Sequence, residues 1–173
     1  IHVSTDGGAV FTPVPNYTTV TMGGISGLST HPTQPGTAYV LFSFADRPKI
    51  LRTTDYGANW TDISGFAGSA PSTNGFPDVA VYDLLVFSDD PQHMWAGTEI
   101  GLVESLDGGA SWALADNGLP AVAIWDLTEV EDEVVVGTHG RGVYAATIPS
   151  LLAGKTFKPL IEQATQGPSG LLS

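Results

Sequence analysis

Three eight-residue segments with one shared pattern decide the fold of this chain. They are Ser4-Thr-Asp6-Gly-Gly8-Ala-Val-Phe11, Thr53-Thr-Asp55-Tyr-Gly57-Ala-Asn-Trp60 and Ser105-Leu-Asp107-Gly-Gly109-Ala-Ser-Trp112. Each reads hydroxyl residue, any, Asp, any, Gly, any, any, aromatic, and their starts lie 49 and 52 residues apart. A repeat of this length at a nearly constant interval indicates an architecture built from similar units.

Each segment has the chemistry of a tight turn between two strands. The Asp side chain can accept backbone N–H bonds within the turn, and the Gly two residues later suits a backbone with positive φ. The aromatic residue then opens the next strand and lays an apolar face over the turn. We therefore interpret the Asp and the aromatic residue of every segment as structural: Asp6, Phe11, Asp55, Trp60, Asp107 and Trp112.

A second repeat lies between these turns and has the character of β-strands. Val81-Tyr-Asp-Leu84 recurs as Ile124-Trp-Asp-Leu127, and Ala96-Gly-Thr98 recurs as Val136-Gly-Thr138. The surrounding runs are short, rich in β-branched and aromatic residues, and separated by turn residues. Four short strands in a unit of roughly 45 to 50 residues are the period of a propeller blade.

The composition agrees with an all-β protein and limits its partners. Among 173 residues there are 21 Gly and 12 Pro, with 42% hydrophobic and 14% charged residues, which suits many short strands and tight turns. The net charge of −12 disfavours nucleic acid and anionic membranes, but leaves calcium, cationic ligands and neutral glycans open. There is no Cys to form a disulfide or thiolate site, and no apolar run long enough to span a bilayer.

The three turn segments resemble the Asp-box, or bacterial neuraminidase (BNR) repeat, of Asp-box β-propellers. That group includes sialidases, two-propeller xyloglucanases and sortilin-type ectodomains. The resemblance covers roughly residues 1–148 and implies that the boxes are structural and lie away from the ligand-binding face. With the acidity and the Thr-, Ser- and Gly-rich strands, it indicates a secreted or cell-surface protein of bacterial type.

The resemblance also implies about three and a half four-stranded blades, forming the C-terminal part of a larger propeller. We expect the blades at residues 1–17 (an outer half), 19–66, 78–118 and 121–148 (three inner strands). The missing outer strand would come from upstream of Ile1, and residues 149–173 would be a linker and the start of a following module. Remaining propeller blades or a partner chain would complete the ring.

Ligands of such propellers usually lie at the other end of the blades, near the central channel. Asp83 and Asp126 occupy equivalent places on adjacent inner strands, so we expect their carboxylates to lie near each other. Such a pair can be the acid and base of a glycosidase, share a calcium ion, or brace its own strands. Strand alternation predicts that Tyr82 and Trp125 face the opposite side, in the packing between blades.

The turn between Gly137 and Gly142 supplies further candidate ligand-binding residues. His139 and Arg141 lie among glycines that let a backbone approach a ligand closely, and they can bind a carboxylate or sugar hydroxyls. Glu99 occupies the corresponding turn of the preceding unit. The alternative to ligand binding is a structural turn in which Arg141 forms an ion pair with Glu99.

These patterns favour a non-catalytic segment that serves as a structural, carbohydrate-binding or protein-binding platform. The alternative is part of an Asp-box glycoside hydrolase that acts on polysaccharide through Asp83 and Asp126. Sialidase chemistry is disfavoured because the chain has only three arginines, and Arg52 lies directly before a box. No acidic string matches a calcium-binding loop, so no metal site or cofactor is predicted, although calcium stays open.

Overall fold

The computed structural model describes residues 1–19, 24–68, 70–116, 118–130, 133–148 and 160–163. Within these ranges the chain forms fourteen β-strands and one 3₁₀ helix, Pro15–Thr19. Every strand pair is antiparallel. The prediction of an all-β fold is therefore confirmed.

The strands form four sheets, which we label A to D in chain order. Sheet A contains β1 (His2–Val3) and β2 (Thr12–Pro13). Sheet B contains β3 (Ile25–Thr30), β4 (Ala38–Phe42), β5 (Ile50–Thr53) and β6 (Thr61–Asp62). Sheet C contains β7 (Val81–Val86), β8 (Met94–Thr98), β9 (Gly101–Ser105) and β10 (Ala113–Leu114). Sheet D contains β11 (Ile124–Val130), β12 (Glu133–Thr138), β13 (Val143–Thr147) and β14 (Leu160–Gln163).

Sheets B, C and D are meanders that pack against each other in chain order. Each strand pairs with the next one along the chain, as expected when short turns connect antiparallel neighbours. The first strands of the three sheets, β3, β7 and β11, lie side by side. The first strands therefore lie along one common edge of the three sheets, which we call the inner edge.

The core lies between successive sheets, and sheets B and C bury side chains on both faces, because alternate residues of a strand point to opposite faces. Sheets B and C enclose one cluster, which includes Tyr39, Leu41, Ile50, Val81, Leu84, Met94, Ala96 and Trp112. Sheets C and D enclose a second, which includes Phe87, Trp95, Leu102, Ile124, Val134, Val136 and Tyr144. A third cluster on the other side of sheet B contains Val40, Phe42 and Leu51, with Ile1, Tyr17 and Trp60 packed against it.

The three repeated segments form the turns of the hairpins β1–β2, β5–β6 and β9–β10. In the third, Ser105 Oγ donates to Asp107 Oδ1 at 2.8 Å, and the Gly109 N–H donates to Ser105 Oγ at 2.9 Å. The N–H of Ser111 donates to Asp107 Oδ1 at 2.8 Å. Corresponding bonds occur in the other two turns. One local hydrogen-bonding pattern therefore shapes all three hairpins.

The first strand of each four-stranded sheet contains one extra residue. In sheet C, Val81 pairs with Thr98 and Asp83 pairs with Gly97, so Tyr82 lies outside the ladder. Sheets B and D have the same shift in register at the corresponding positions, Ser26 and Trp125. A bulge of this kind bends the strand and re-aims a side chain, which bears directly on the candidate site.

The outer strand of sheet D differs in origin from the sequence-based expectation. That strand was expected from upstream of Ile1, whereas β14 comes from the segment that was assigned to a following module. Here Ala145 pairs with Glu162 and Ala146 with Ile161. The physical reason is that the edge of β13 presents main-chain groups that any extended segment can satisfy.

Candidate functional site

Asp83 joins two inner strands. Its Oδ1 accepts the N–H of Leu84 at 2.8 Å, and its Oδ2 accepts the N–H of Leu127, on β11, at 2.7 Å. Burial raises the pKa of Asp83 more than these two donors lower it, and the charge of Asp126 raises it further. With both oxygens engaged by the backbone, the carboxylate acts as a brace between sheets C and D.

Asp126 is the exposed member of the carboxylate pair. It lies at the position in β11 that Asp83 occupies in β7, directly after the extra residue of its strand. Its Oδ2 accepts a hydrogen bond from Thr128 Oγ1 at 3.2 Å. Asp126 is near enough for its charge to contribute to the raised pKa of Asp83, but Asp83 is half-buried and Asp126 is exposed.

An aromatic surface lies beside this pair, formed by Tyr82, Trp125 and His139. Trp125 is 54% exposed. Its indole stacks on the His139 ring with a centroid distance of 4.5 Å and an interplanar angle of 8°. Tyr82 lies at 6.0 Å from Trp125 with the rings tilted by 60°. Three ring systems from sheets C and D are therefore contiguous at the inner edge of the fold.

The prediction that Trp125 packs between blades is wrong. Strand alternation holds only while each residue pairs with one partner, and the bulge breaks this correspondence at Trp125 and Tyr82. Half-exposed Trp125 is the functional candidate that sequence reasoning missed. The sequence does contain a signal for this, because Ile25-Ser26-Gly27-Leu28 is a third copy of the inner-strand segment. Its second residue is Ser, where the other copies have Tyr82 and Trp125, so this position does not keep the apolar character of a core position.

Glu99 and His139 occupy equivalent turns and hold them in the same way. The Glu99 N–H donates to Ala80 O at 3.1 Å, and the His139 N–H donates to Ala123 O at 2.8 Å. The Glu99 side chain also accepts the N–H of Ala80 at 3.1 Å. The Glu99 side chain is thus engaged by the backbone directly before β7, whereas the His139 ring stacks on Trp125.

Arg141 is exposed in the turn that follows His139. Gly140 and Gly142 on either side have φ of 83° and 79°, conformations that favour glycine. The ion pairs found within the described part of the chain join Lys49 to Asp78 and His93 to Glu104. Arg141 is therefore not paired with Glu99.

Lys49 lies at the end of the corresponding turn of sheet B and is held by several contacts. Its side chain is fully buried, and Nζ lies 2.5 Å from Asp78 Oδ1. It also donates to Phe44 O and lies 5.1 Å from the centre of the Phe66 ring. A buried cation needs such partners, because an unpaired charge in the interior is strongly destabilising.

Within the described ranges, no group of three or more His, Asp or Glu side chains is arranged to hold a metal ion.

Among the described residues, no helix is long and apolar enough to cross a membrane.

Comparison with solved structures identifies glycoside hydrolase family 74 (GH74) enzymes as structural neighbours. An ancestral GH74 enzyme matches 75% of the chain with a TM-score of 0.58 and 16% identity. The GH74 enzyme of Niastella koreensis matches 73% of the chain with a TM-score of 0.50 and 20% identity. The GH74 xyloglucanase from Xanthomonas campestris matches 72% with a TM-score of 0.51 and 16% identity. The chain spans only 17%, 22% and 21% of these three proteins.

No protein-family model matches the chain, and no curated protein matches it. At identities this low, the structural likeness bears on the fold alone. The chain is all-β, with a fold similar to that of the β-propeller GH74 enzymes.

Proposed function

We propose that this chain is a β-propeller segment of a secreted or cell-surface protein and binds carbohydrate through Tyr82, Trp125 and His139. One observation carries the proposal: Trp125 is 54% exposed and stacked on His139 at the inner edge of the fold. A large indole exposed to this extent and held in a defined orientation is typical of a binding surface.

The chemistry beside the aromatic surface suits a sugar. An aromatic face packs against the apolar C–H face of a pyranose ring, while a few polar groups fix the orientation of the ligand. Exposed Asp126 accepts hydroxyl hydrogen bonds, and exposed Arg141 donates them. The net charge of −12 disfavours polyanionic ligands, so a neutral polysaccharide fits best.

The proposal includes the blade architecture. Sheets B, C and D would each be one blade, sheet A would be the outer half of another, and the three turns would be Asp-boxes. The shared hydrogen bonds of these turns and the likeness to GH74 propellers support this assignment. Blades in other polypeptide would complete the ring.

Glycoside hydrolysis through Asp83 and Asp126 is the second candidate function. A raised pKa suits a general acid, because the carboxyl keeps its proton to higher pH, and the pKa of Asp83 is raised mainly by burial. Against this role, both Asp83 oxygens accept backbone N–H bonds, which favour the ionised form. We therefore rank binding above catalysis.

Affinity electrophoresis against a panel of neutral polysaccharides, xyloglucan included, tests the binding proposal. We expect Trp125→Ala to lower the affinity for the polysaccharide, measured from the retardation, at least roughly tenfold. This is a loss of about 1.4 kcal/mol of binding free energy. Leu106→Ala is the matched control, because Leu106 is 63% exposed but lies in the β9–β10 turn. Equal binding by wild type and Trp125→Ala would refute the assignment of this surface.

Release of reducing sugar from the same polysaccharides tests the second candidate. If the wild type hydrolyses one of them and Asp126→Asn abolishes turnover while binding persists, the chain contributes to an active site. In that case the proposed platform role is replaced by catalysis.

A further inference from the structure

A polar cavity lies between the outer strands of sheets B and C, away from the inner edge and its aromatic surface. Its volume is about 520 Å³, within the range of about 300–1,000 Å³ that is common for small-molecule sites. The lining includes Arg52, Asp62, Asn74, Gln92, Asp107 and Gly108. Sheets B and C each have four strands among the described residues, so both walls of the cavity belong to this chain.

The connection between β6 and β7 forms one wall of the cavity. It runs from 63 to 80, whereas its counterpart between β10 and β11 runs only from 115 to 123. Within it, Asn74 Nδ2 donates to Ile63 O at 2.9 Å and to Gly109 O at 3.2 Å. The Trp112 N–H donates to Asn74 O at 2.9 Å. The longer connection is therefore tied to the β9–β10 turn, and the cavity is preformed.

Arg52 brings unused hydrogen-bond donors to this cavity. It occupies the register position on β5 that Glu104 occupies on β9. Glu104 is satisfied within its own sheet, because its Oε1 accepts the indole N–H of Trp95 at 2.9 Å and lies 2.8 Å from His93 Nε2. Among the described residues, Arg52 has one hydrogen bond, from Nη1 to Gly108 O at 3.4 Å, and no ion pair. Most of its five N–H donors are therefore available to a ligand.

The two carboxylates in the lining are largely occupied by the protein itself. Asp62 accepts four hydrogen bonds, all from the segment 64–67. Asp107 accepts one bond from Ser105 and two from Ser111, and only one of these three reaches Oδ2. Since a carboxylate offers about four acceptor positions, Asp107 keeps one for a ligand and Asp62 keeps none.

We propose that this cavity binds a neutral sugar unit through Arg52, Gln92 and Asp107. Two neighbouring hydroxyl oxygens of the sugar accept from the guanidinium of Arg52, and one hydroxyl donates to Asp107 Oδ2. The Gln92 side chain is exposed and has no hydrogen bond among the described residues, so its amide can both donate and accept. An anionic ligand fits less well, because it would meet two carboxylates and only one guanidinium.

This site is separate from the one formed by Tyr82, Trp125 and His139. It lies at the outer strands, contains no aromatic side chain among the residues that line it, and depends on polar groups alone. It therefore stands or falls independently of binding at the inner edge. If both sites bind, the chain contacts carbohydrate at two places on opposite sides of sheet C.

Titration of the isotope-labelled full chain with glucose, galactose, mannose and xylose, followed by nuclear magnetic resonance, tests the proposal. We expect at least one sugar to cause saturable shifts of the Arg52 Nε–H and of the backbone amides of Asn74 and Gly108. The dissociation constant should be on the order of 1 mM, because a few polar bonds must offset the cost of immobilising the ligand. Sodium acetate and sodium sulfate, the anionic probes, should bind more weakly.

Arg52→Lys keeps the charge but removes the planar pair of donors, so the affinity should fall at least roughly tenfold. Arg47→Lys is the matched control, because Arg47 is exposed in the β4–β5 turn and does not line the cavity. Gln92→Ala removes a side chain without hydrogen bonds among the described residues, so the fold should persist while affinity falls roughly threefold. Trp125→Ala should leave binding at the cavity intact, which separates this proposal from the one for the inner edge.

Four outcomes would overturn the proposal. They are absence of saturable shifts with every sugar, shifts confined to Trp125 and His139, tighter binding of acetate or sulfate than of any sugar, and equal affinity of wild type and Arg52→Lys. If Arg52→Lys disturbs the fold, equal affinity of wild type and Gln92→Ala overturns the proposal in its place.

Discussion

The first and third repeated turns have corresponding hydrogen bonds but opposite burial. The side chains of Asp6 and Asp107 each accept a hydrogen bond from the hydroxyl group two residues earlier and another from the backbone N–H four residues later. Yet Phe11 is 62% exposed, whereas Trp112 is 5% exposed and packs edge-to-face on Phe76 at 5.1 Å. Local hydrogen bonds therefore make the turn, but the neighbouring sheet decides whether its aromatic residue becomes part of the core.

The largest difference between the two turns should appear on removal of the aromatic side chain. We expect Trp112→Ala to reduce the free energy of unfolding by about 3–5 kcal/mol, because it leaves a cavity in the core between sheets B and C. Phe11→Ala should stay within about 0.5 kcal/mol. Urea unfolding followed by circular dichroism measures both, and similar losses would contradict the comparison.

A smaller difference should follow from adding a methyl group to the turn glycine. Gly8 and Gly109 have φ of 93° and 89°, so alanine costs about 1–2 kcal/mol at either position. A Cβ on Gly109 would also lie 2.9 Å from Ile63 Cδ1, whereas one on Gly8 would lie 4.0 Å from Phe11. We expect Gly109→Ala to lose roughly 1 kcal/mol more than Gly8→Ala in the same unfolding assay.

Loss of the indole N–H alone should have a still smaller effect. Trp112→Phe removes the hydrogen bond to Ile63 O, which contributes about 1 kcal/mol. Trp60→Phe removes a buried N–H that has no acceptor within the described part of the chain, so stability should be unchanged or slightly higher. If the two variants lose the same stability, Trp60 has a partner that the structure does not show.

Low pH should slightly reduce the stability that the first and third turns contribute, and by a similar amount in each. Hydrogen bonds from Ser111 and Ser105 hold the pKa of Asp107 below its ordinary value of 3.8, and a bond from Ser4 does the same to the pKa of Asp6. Because the folded pKa is the lower one, this stabilisation is present above the ordinary value and is lost as pH falls through the folded pKa. Urea midpoints measured from about pH 6 to about pH 2 should fall less steeply for Asp107→Asn than for the wild type.

The turns were predictable because their interactions are local. Asp107, its hydroxyl partner and its glycine lie within a few residues of each other, so the sequence contains the whole hydrogen-bonded unit. The burial of Trp112 depends on Phe76 and on Ile63, 49 residues away. No local pattern distinguishes it from Phe11, which has no preceding sheet within the described residues to pack against.

The candidate site was only partly predictable for the same reason. The repeated inner-strand segment predicts equivalent positions for Asp83 and Asp126, and both follow the extra residue of their strands in the structure. Exposure of Trp125 depends on a bulge, which is a property of the pairing between two strands and not of either strand alone. The pairing of β14 with β13 is likewise a long-range contact that periodicity does not specify.

The bulges have an evolutionary consequence. Each inner strand keeps one residue outside its hydrogen-bonded ladder, so that position can be exchanged without disturbing the register of the sheet. Ser26, Tyr82 and Trp125 are already three different occupants of one architectural site. Under the proposed binding role, exchange of Tyr82 and Trp125 would change the ligand preference one sheet at a time, whereas Ser26 donates a hydrogen bond to Val81 O and so also joins sheets B and C.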